Sequence, residues 1–239
     1  MQGDLETALE KLFDRPAVSV AAGRTDAGVH ALAQVVSISE APDELDLESA
    51  RDALNVMCGP SIAVHSCSSA AQGFSARFSA RSRSYVYAIT EGPVLDPFLT
   101  STSLYHREAL ELGAMNEAAG HLIGSHDFSS FGRVREAGAS AQRNLFELSV
   151  ERRGRVVRVH ARANAFIQQM VRSIVGSLIQ VGEGSRTPDQ MPQLLAARDR
   201  GAAGPVAPPH GLCLVAVEYD EGWGLPLHLQ ESTPSVAAP

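Results

Sequence analysis

Lysine is almost absent from this chain: Lys11 is the one lysine among twenty basic residues. Cysteine is scarce as well. Cys58, Cys67 and Cys213 are odd in number, far apart and outside any CxxC spacing, which excludes a disulfide framework or zinc knuckle and leaves reduced core residues. No run of eighteen apolar residues occurs, so no membrane-spanning helix is expected. The opening MQGDLETALEKL is amphipathic and has no charged-then-apolar signal-peptide layout, so a cytoplasmic location is the expectation. The eight histidines show no HExxH or HxH spacing, and no metal centre is expected. GxxxxGK[ST] is also missing, which excludes a phosphate loop of that kind.

What is present is ample apolar material, 44% of 239 residues, enough for one large domain or two fused halves. The net charge of −7 argues against a nucleic-acid partner, yet it hides an asymmetry. Residues 1–60 carry 4 basic and 11 acidic groups, residues 77–172 carry 13 and 9, and residues 173–239 carry 3 and 7. All the central cations are arginine. Guanidinium forks suit phosphates and stack on bases, so the arginines at 77, 81, 83, 133, 135, 143, 152, 153, 155, 158, 162 and 172 could build an RNA-facing cleft. With lysine so rare, arginine is equally well read as this chain's default cation.

Apolar spacing predicts a helix over 3–14, strands at 17–22 and 31–39, a helix over 46–58 stopped by Gly59-Pro60, and strands at 61–68 and 82–90. After the connector EGPVLDPF, a helix over 107–123, strands at 145–152 and 155–163, helices at 165–181 and 188–197 and a strand at 212–219 are expected. The recurring order suggests two α+β units, residues 1–95 and 96–222, whose antiparallel sheets join around a cleft. Residues 223–239 are expected to be a disordered tail.

The stretch Gly23-Arg24-Thr25-Asp26-Ala27-Gly28 lies between two expected strands, where a loop side chain can face a ligand from a rigid scaffold. Read alone, TDAG is a common turn, and the turn reading leads. A carboxylate dyad needs a second such loop, and nothing similar recurs. What survives beside the turn is a lone carboxylate, nucleophile or base, oriented by an arginine.

GRTDAGVHA at 23–31 resembles the signature of the TruA-type tRNA pseudouridine synthases. Four more segments match that family in order: ARFSARSRSYVY at 76–87, HDFSSF at 126–131, NAFIQQMVRSIVG at 164–176 and APPHGL at 207–212. The resemblance covers about residues 1–220. It implies the pseudouridine synthase fold, two similar ferredoxin-like α/β halves with joined antiparallel sheets flanked by helices. It also implies isomerisation of uridine to pseudouridine in the tRNA anticodon arm, at tRNA positions 38 to 40, by a homodimer without cofactor or metal. By the same similarity Asp26 is the catalytic aspartate, Tyr85 meets the uracil, Arg172 pairs with the aspartate, and Arg24 contacts the flipped nucleotide or its phosphates. Tyr85 and Tyr87 are expected to face opposite ways on their strand, one into the core, and only the family pattern selects Tyr85. Arg172 sits in an apolar helix, where an inward arginine needs a partner. His30 and His126 are expected to be hydrogen-bonded structural groups.

Family members usually open with a strand and a YDGxxFxGWQ-like segment ahead of a TVQGELE-like stretch, which here reads Met1-Gln2-Gly3-Asp4-Leu5-Glu6. The resemblance therefore expects a first strand that is missing here, from a start site set too late. The alternative function is a truncated, catalytically impaired RNA-binding protein of the same fold.

Overall fold

The structure, a computed structural model, describes residues 1–42, 44–134 and 138–226. The chain begins with α1 (Gln2–Phe13), β1 (Ser19–Ala21), β2 (His30–Ala31), β3 (Val36–Ile38), α2 (Leu47–Cys58) and β4 (Ala80–Glu91). It continues through β5 (Leu104–His106), α3 (Leu112–Gly120), β6 (Gly124–Asp127), β7 (Gln142–Arg153) and β8 (Val156–Ala163). It ends in α4 (Met170–Gly182), α5 (Gln190–Ala197) and β9 (Leu212–Tyr219), with single 3-10 turns at Pro209–Gly211 and Glu221–Trp223. Residues 227–239, most of the expected tail, lie outside the described residues. No described helix is long and apolar enough to cross a membrane.

Packing divides the chain into two units. One comprises Met1–Arg24, Gln34–Arg81 and the segment from Val217; the other comprises Thr25–Ala33 and Ser82–Ala216. The segment carrying Asp26 thus groups with the C-terminal residues.

In the first unit α1 and α2 bury one apolar stripe each, and Ala8, Leu9, Ala17, Leu54 and Cys58 form the core between them. Asp46 caps α2, its carboxylate accepting the Glu48 N–H at 3.3 Å. β1 and β3 pair antiparallel in a sheet of their own, Ser19 opposite Ile38. The strand expected at 61–68 does not form. Ile62, Val64 and Cys67 still pack on the core, but the Asn55 amide takes the place of a neighbouring strand, donating to the Val64 carbonyl at 2.9 Å and accepting its N–H at 2.7 Å.

The second unit is built on a seven-stranded mixed sheet in the order β2-β9-β4-β8-β7-β6, with β5 beside β4. β4, β8 and β7 are long and antiparallel, whereas β2 runs parallel to β9 and β5 parallel to β4. On β8 the residues Val157, Val159, Ala161 and Ala163 are buried and those between them are half-exposed, the period of two that one covered face demands. α3 packs on β7 and α4 on α3. Here too an asparagine stands in for a strand: Asn116 of α3 donates to the Val150 carbonyl and accepts its N–H, both at 2.8 Å. The α+β class expected from the sequence holds, with antiparallel and mixed sheets flanked by helices.

Two other expectations change. The strand anticipated at 31–39 is cut in two, because His30–Ala31 joins β9 while Val36–Ile38 joins β1. The helix anticipated from 165 starts at Met170, because Gln168 exchanges both backbone hydrogen bonds with Arg133, and Gln169 takes a positive φ of 65°.

Candidate active site

Asp26 sits on the loop before β2, in the second unit. The loop closes on itself through the Val29 N–H, which donates to the Asp26 carbonyl at 3.0 Å. Gly28 has φ +86°, and a Cβ there would lie 3.0 Å from Pro209 Cγ, so conformation and packing both call for glycine.

Arg172 lies in the first turn of α4. Its Nη1 donates to Asp26 Oδ2 at 2.9 Å, and its Nε donates to the Ala207 carbonyl at 2.7 Å. The Ala207 N–H returns a bond to the Arg172 carbonyl at 3.1 Å. Side-chain exposures of 12% for Arg172 and 24% for Asp26 leave the arginine enclosed and the aspartate side chain partly open. A guanidinium this enclosed needs its partners, and it has one on each side. Ala207 lies on residues 204–211, a strap held against α4 by close backbone contact. The Gly204 N–H donates to Ser177 Oγ at 3.0 Å, and a Cβ at Gly176 would fall 1.8 Å from the Pro205 carbonyl oxygen.

Tyr85 and Tyr87 do not face opposite ways: residues two apart on a strand share a face, and both are buried on β4. Their hydroxyls differ. Tyr87 donates to the Pro208 carbonyl at 2.9 Å, while the Tyr85 hydroxyl has no hydrogen-bond partner among the described residues. The Tyr85 ring is fixed edge-on against Phe166, with centroids 5.3 Å apart. Burial pushes the Tyr85 phenol up to about 12, with the Arg83 guanidinium opposing and the Asp26 carboxylate adding to the rise, so it stays a neutral donor near neutrality. Arg24, in the first unit, is exposed and has no hydrogen bond or ion pair among the described residues.

The structure therefore brings Asp26 and Arg172 into direct contact and sets Tyr85 within electrostatic reach of Asp26. A carboxylate paired with a guanidinium beside an enclosed aromatic can act on an electron-poor carbon while a flat base rests nearby. Sequence reading missed Ala207, Pro208 and Phe166. The first two act through backbone carbonyls, which carry no residue-type signal. Phe166 lay inside a matched motif without a reason to single it out.

Other matched segments are structural. HDFSSF supplies the fully buried Phe128 and Phe131, and Ser130 Oγ accepts the Asp199 N–H at 3.0 Å. His30 and His126 hold the carbonyls of Ser101 and Ile123, at 2.7 and 3.0 Å. Several of the central arginines are tied to carboxylates, and Arg135 lies outside the described residues. Arg152, Arg153, Arg155 and Arg162 pair with Glu91, Glu151, Asp96 and Glu147. For a metal, the described residues offer one group, Glu117, His121 and Asp189, with ligand atoms within 4.8 Å of one another. None of the three bonds to Asp26, Arg172 or Tyr85.

A family model described as tRNA pseudouridine synthase matches residues 118–220. A tRNA pseudouridine synthase A of Herminiimonas arsenicoxydans is 42% identical over 230 residues, 95% of this chain and 83% of the relative. Another, of Xanthomonas oryzae pv. oryzae, is 42% identical over 237 residues, 97% of this chain and 90% of the relative. A third, of Xanthomonas campestris pv. campestris, is 41% identical over the same shares. With relatives this similar along nearly the whole chain, and GRTDAG folded into a loop whose aspartate meets the arginine of the VRSIVG helix, the chain belongs to the tRNA pseudouridine synthase A family.

Proposed function

We propose that this chain is an isomerase that converts uridine to pseudouridine in the anticodon arm of tRNA, at tRNA positions 38 to 40. The observation that carries the reading is the Asp26–Arg172 pair at 2.9 Å, made by an aspartate whose side chain stays partly exposed. The reaction breaks the bond from uracil N1 to the sugar C1′ and makes one from C5 to the same carbon, with the C5 proton passing to N1 in the net change. Positive charge develops at C1′ as the first bond breaks. A carboxylate there can stabilise that charge, attack the carbon or remove the 2′ proton, and each role needs it ionised. Arg172 sets a full positive charge against one of its oxygens, and Ala207 keeps the guanidinium from turning away.

Reaching a stacked uridine costs a few kcal/mol of unstacking, offset by enclosing the base against an aromatic side chain. Tyr85 supplies that surface, and its hydroxyl has no hydrogen-bond partner among the described residues. Arg24, exposed and unpaired among the described residues, suits a phosphate of the flipped nucleotide. The chemistry returns every atom of the base to the sugar it left, so it consumes no cofactor and needs no metal. Action as a homodimer in the cytoplasm completes the reading. Incubating the purified chain with an unmodified tRNA transcript and mapping pseudouridine tests it. Product at one or more of the three positions is expected. Retention of tRNA at moderate salt with no product would replace the enzyme with an RNA-binding protein.

A further inference from the structure

Tyr87 is wholly buried, yet its polar end is engaged, because the hydroxyl donates to the Pro208 carbonyl at 2.9 Å. The residue before Pro208 is Ala207, whose carbonyl receives Arg172 Nε at 2.7 Å. The residue after it is Pro209, whose ring lies against Gly28 of the Asp26 loop, where a Cβ would come within 3.0 Å of its Cγ. Two residues further on, Gly211 lies flat on Tyr87, so that a Cβ there would sit 2.6 Å from the phenol Cζ. One short strap therefore meets the arginine, the aspartate's loop and the tyrosine in successive residues. Burial raises the Tyr87 phenol well above the usual tyrosine range, which keeps it a donor at every working pH.

We propose that Tyr87 is a positioning residue for the isomerisation: by fixing the Pro208 carbonyl it sets where the Ala207 carbonyl holds Arg172, and so how Arg172 presents itself to Asp26. The inference rests on the reading of Asp26 as the reactive group. It assigns Tyr87 no contact with RNA. The rings of Pro208 and Pro209 lock φ, so the carbonyls of 207 and 208 can turn only through ψ, and a guanidinium follows the carbonyl that fixes its Nε. Without the phenol donor the strap keeps its packing but loses its rotational stop, and Arg172 no longer addresses one carboxylate oxygen in one direction. Geometry at this level acts on the chemical step, because a small misplacement of a reacting group costs rate while substrate is still held.

The test is a double-mutant cycle on the full chain with an unmodified tRNA transcript, reading kcat and KM separately. Tyr87→Phe keeps the ring and removes only the hydroxyl. It is expected to lower kcat at least tenfold with KM for tRNA changed less than twofold. In an Arg172→Lys background, which has already lost the Nε bond to Ala207, the same substitution is expected to lower kcat less than threefold further. Gly211→Ala sets a methyl 2.6 Å from the Tyr87 ring and 2.9 Å from the Ala88 carbonyl oxygen while removing no hydrogen-bonding group; it is expected to give the same kcat loss and serves if Tyr87→Phe is not recovered folded. Unchanged kcat, a loss confined to KM, or losses that multiply fully in the double variant would each overturn the proposal. A parent chain that forms no pseudouridine would instead overturn the enzymatic reading, before any variant is made.

Discussion

Asparagine at position 26 would keep the loop's turn and one acceptor for Arg172 but remove the charge. If Asp26 reacts at or beside C1′, Asp26→Asn lowers pseudouridine formation to below about a thousandth of the parent, as expected for loss of a reacting group. A filter-binding titration should meanwhile find tRNA affinity within a few-fold of the parent. Residual turnover above that level would remove Asp26 from the chemistry. At this scale the sequence was informative in an uneven way. Arg172 could be inferred from an arginine in an apolar helix, whose burial demands a partner, and the structure supplies Asp26 at 2.9 Å. The fate of the two tyrosines was not legible: Tyr85 and Tyr87 share a strand, a face and a residue type. What separates them is a carbonyl from residue 208, which no local pattern reveals.

Among the elements, α4 carries the clearest conflict between local preference and packing. Gly176 lies inside a helix, where replacing it by alanine should stabilise by about 1 kcal/mol on propensity alone. The added Cβ would meet the Pro205 carbonyl oxygen at 1.8 Å, so the strap must move. Overpacking of that kind costs roughly 1 to 3 kcal/mol or more, and the penalty wins. Gly176→Ala is therefore expected to lower the denaturant midpoint and, by displacing Ala207, the activity as well. A second element-level prediction concerns the asparagine clamps. Asn116→Ala strips both partners from the Val150 backbone, leaving a part-buried N–H and carbonyl unpaired, and should cost about 1 to 3 kcal/mol in chemical unfolding. The same device at Asn55 explains why 61–68 read as a strand: its apolar residues are spaced for packing, but a side chain satisfies its backbone. Periodicity reports burial, and it carries no information on who supplies the hydrogen bonds.

Taken as a molecule, the chain was legible in its class and in most of its helices and strands, and much less so in which distant segments join. The break of 31–39 between two sheets depends on partners at β1 and β9, which lie far apart in the chain, so no window of sequence contains it. Charge was only partly readable: the central arginines are plain in the sequence, but their carboxylates come from other elements. One long-range contact makes stability depend on pH. Burial opposes charge on His106, but the Glu183 carboxylate at 2.9 Å and the Glu108 carbonyl outweigh it and raise the imidazole above its ordinary value of 6.5. A raised folded-state value gives stability that is complete below 6.5 and lost as pH climbs through the folded value. Thermal midpoints should accordingly fall as pH rises from about 6 to about 8, and His106→Gln should lack that component of the fall. The Asp26–Arg172 pair bears on how the molecule is made. Its members are 146 residues apart in the chain. At a synthesis rate of about 5–20 residues per second, the carboxylate waits roughly 7 to 30 seconds for its arginine, and the strap that aims the arginine emerges later still. A nascent chain on the ribosome therefore carries the aspartate unpaired, and the tRNAs passing through that ribosome meet no aimed Asp26–Arg172 pair until residues 172 and 207 have both been made.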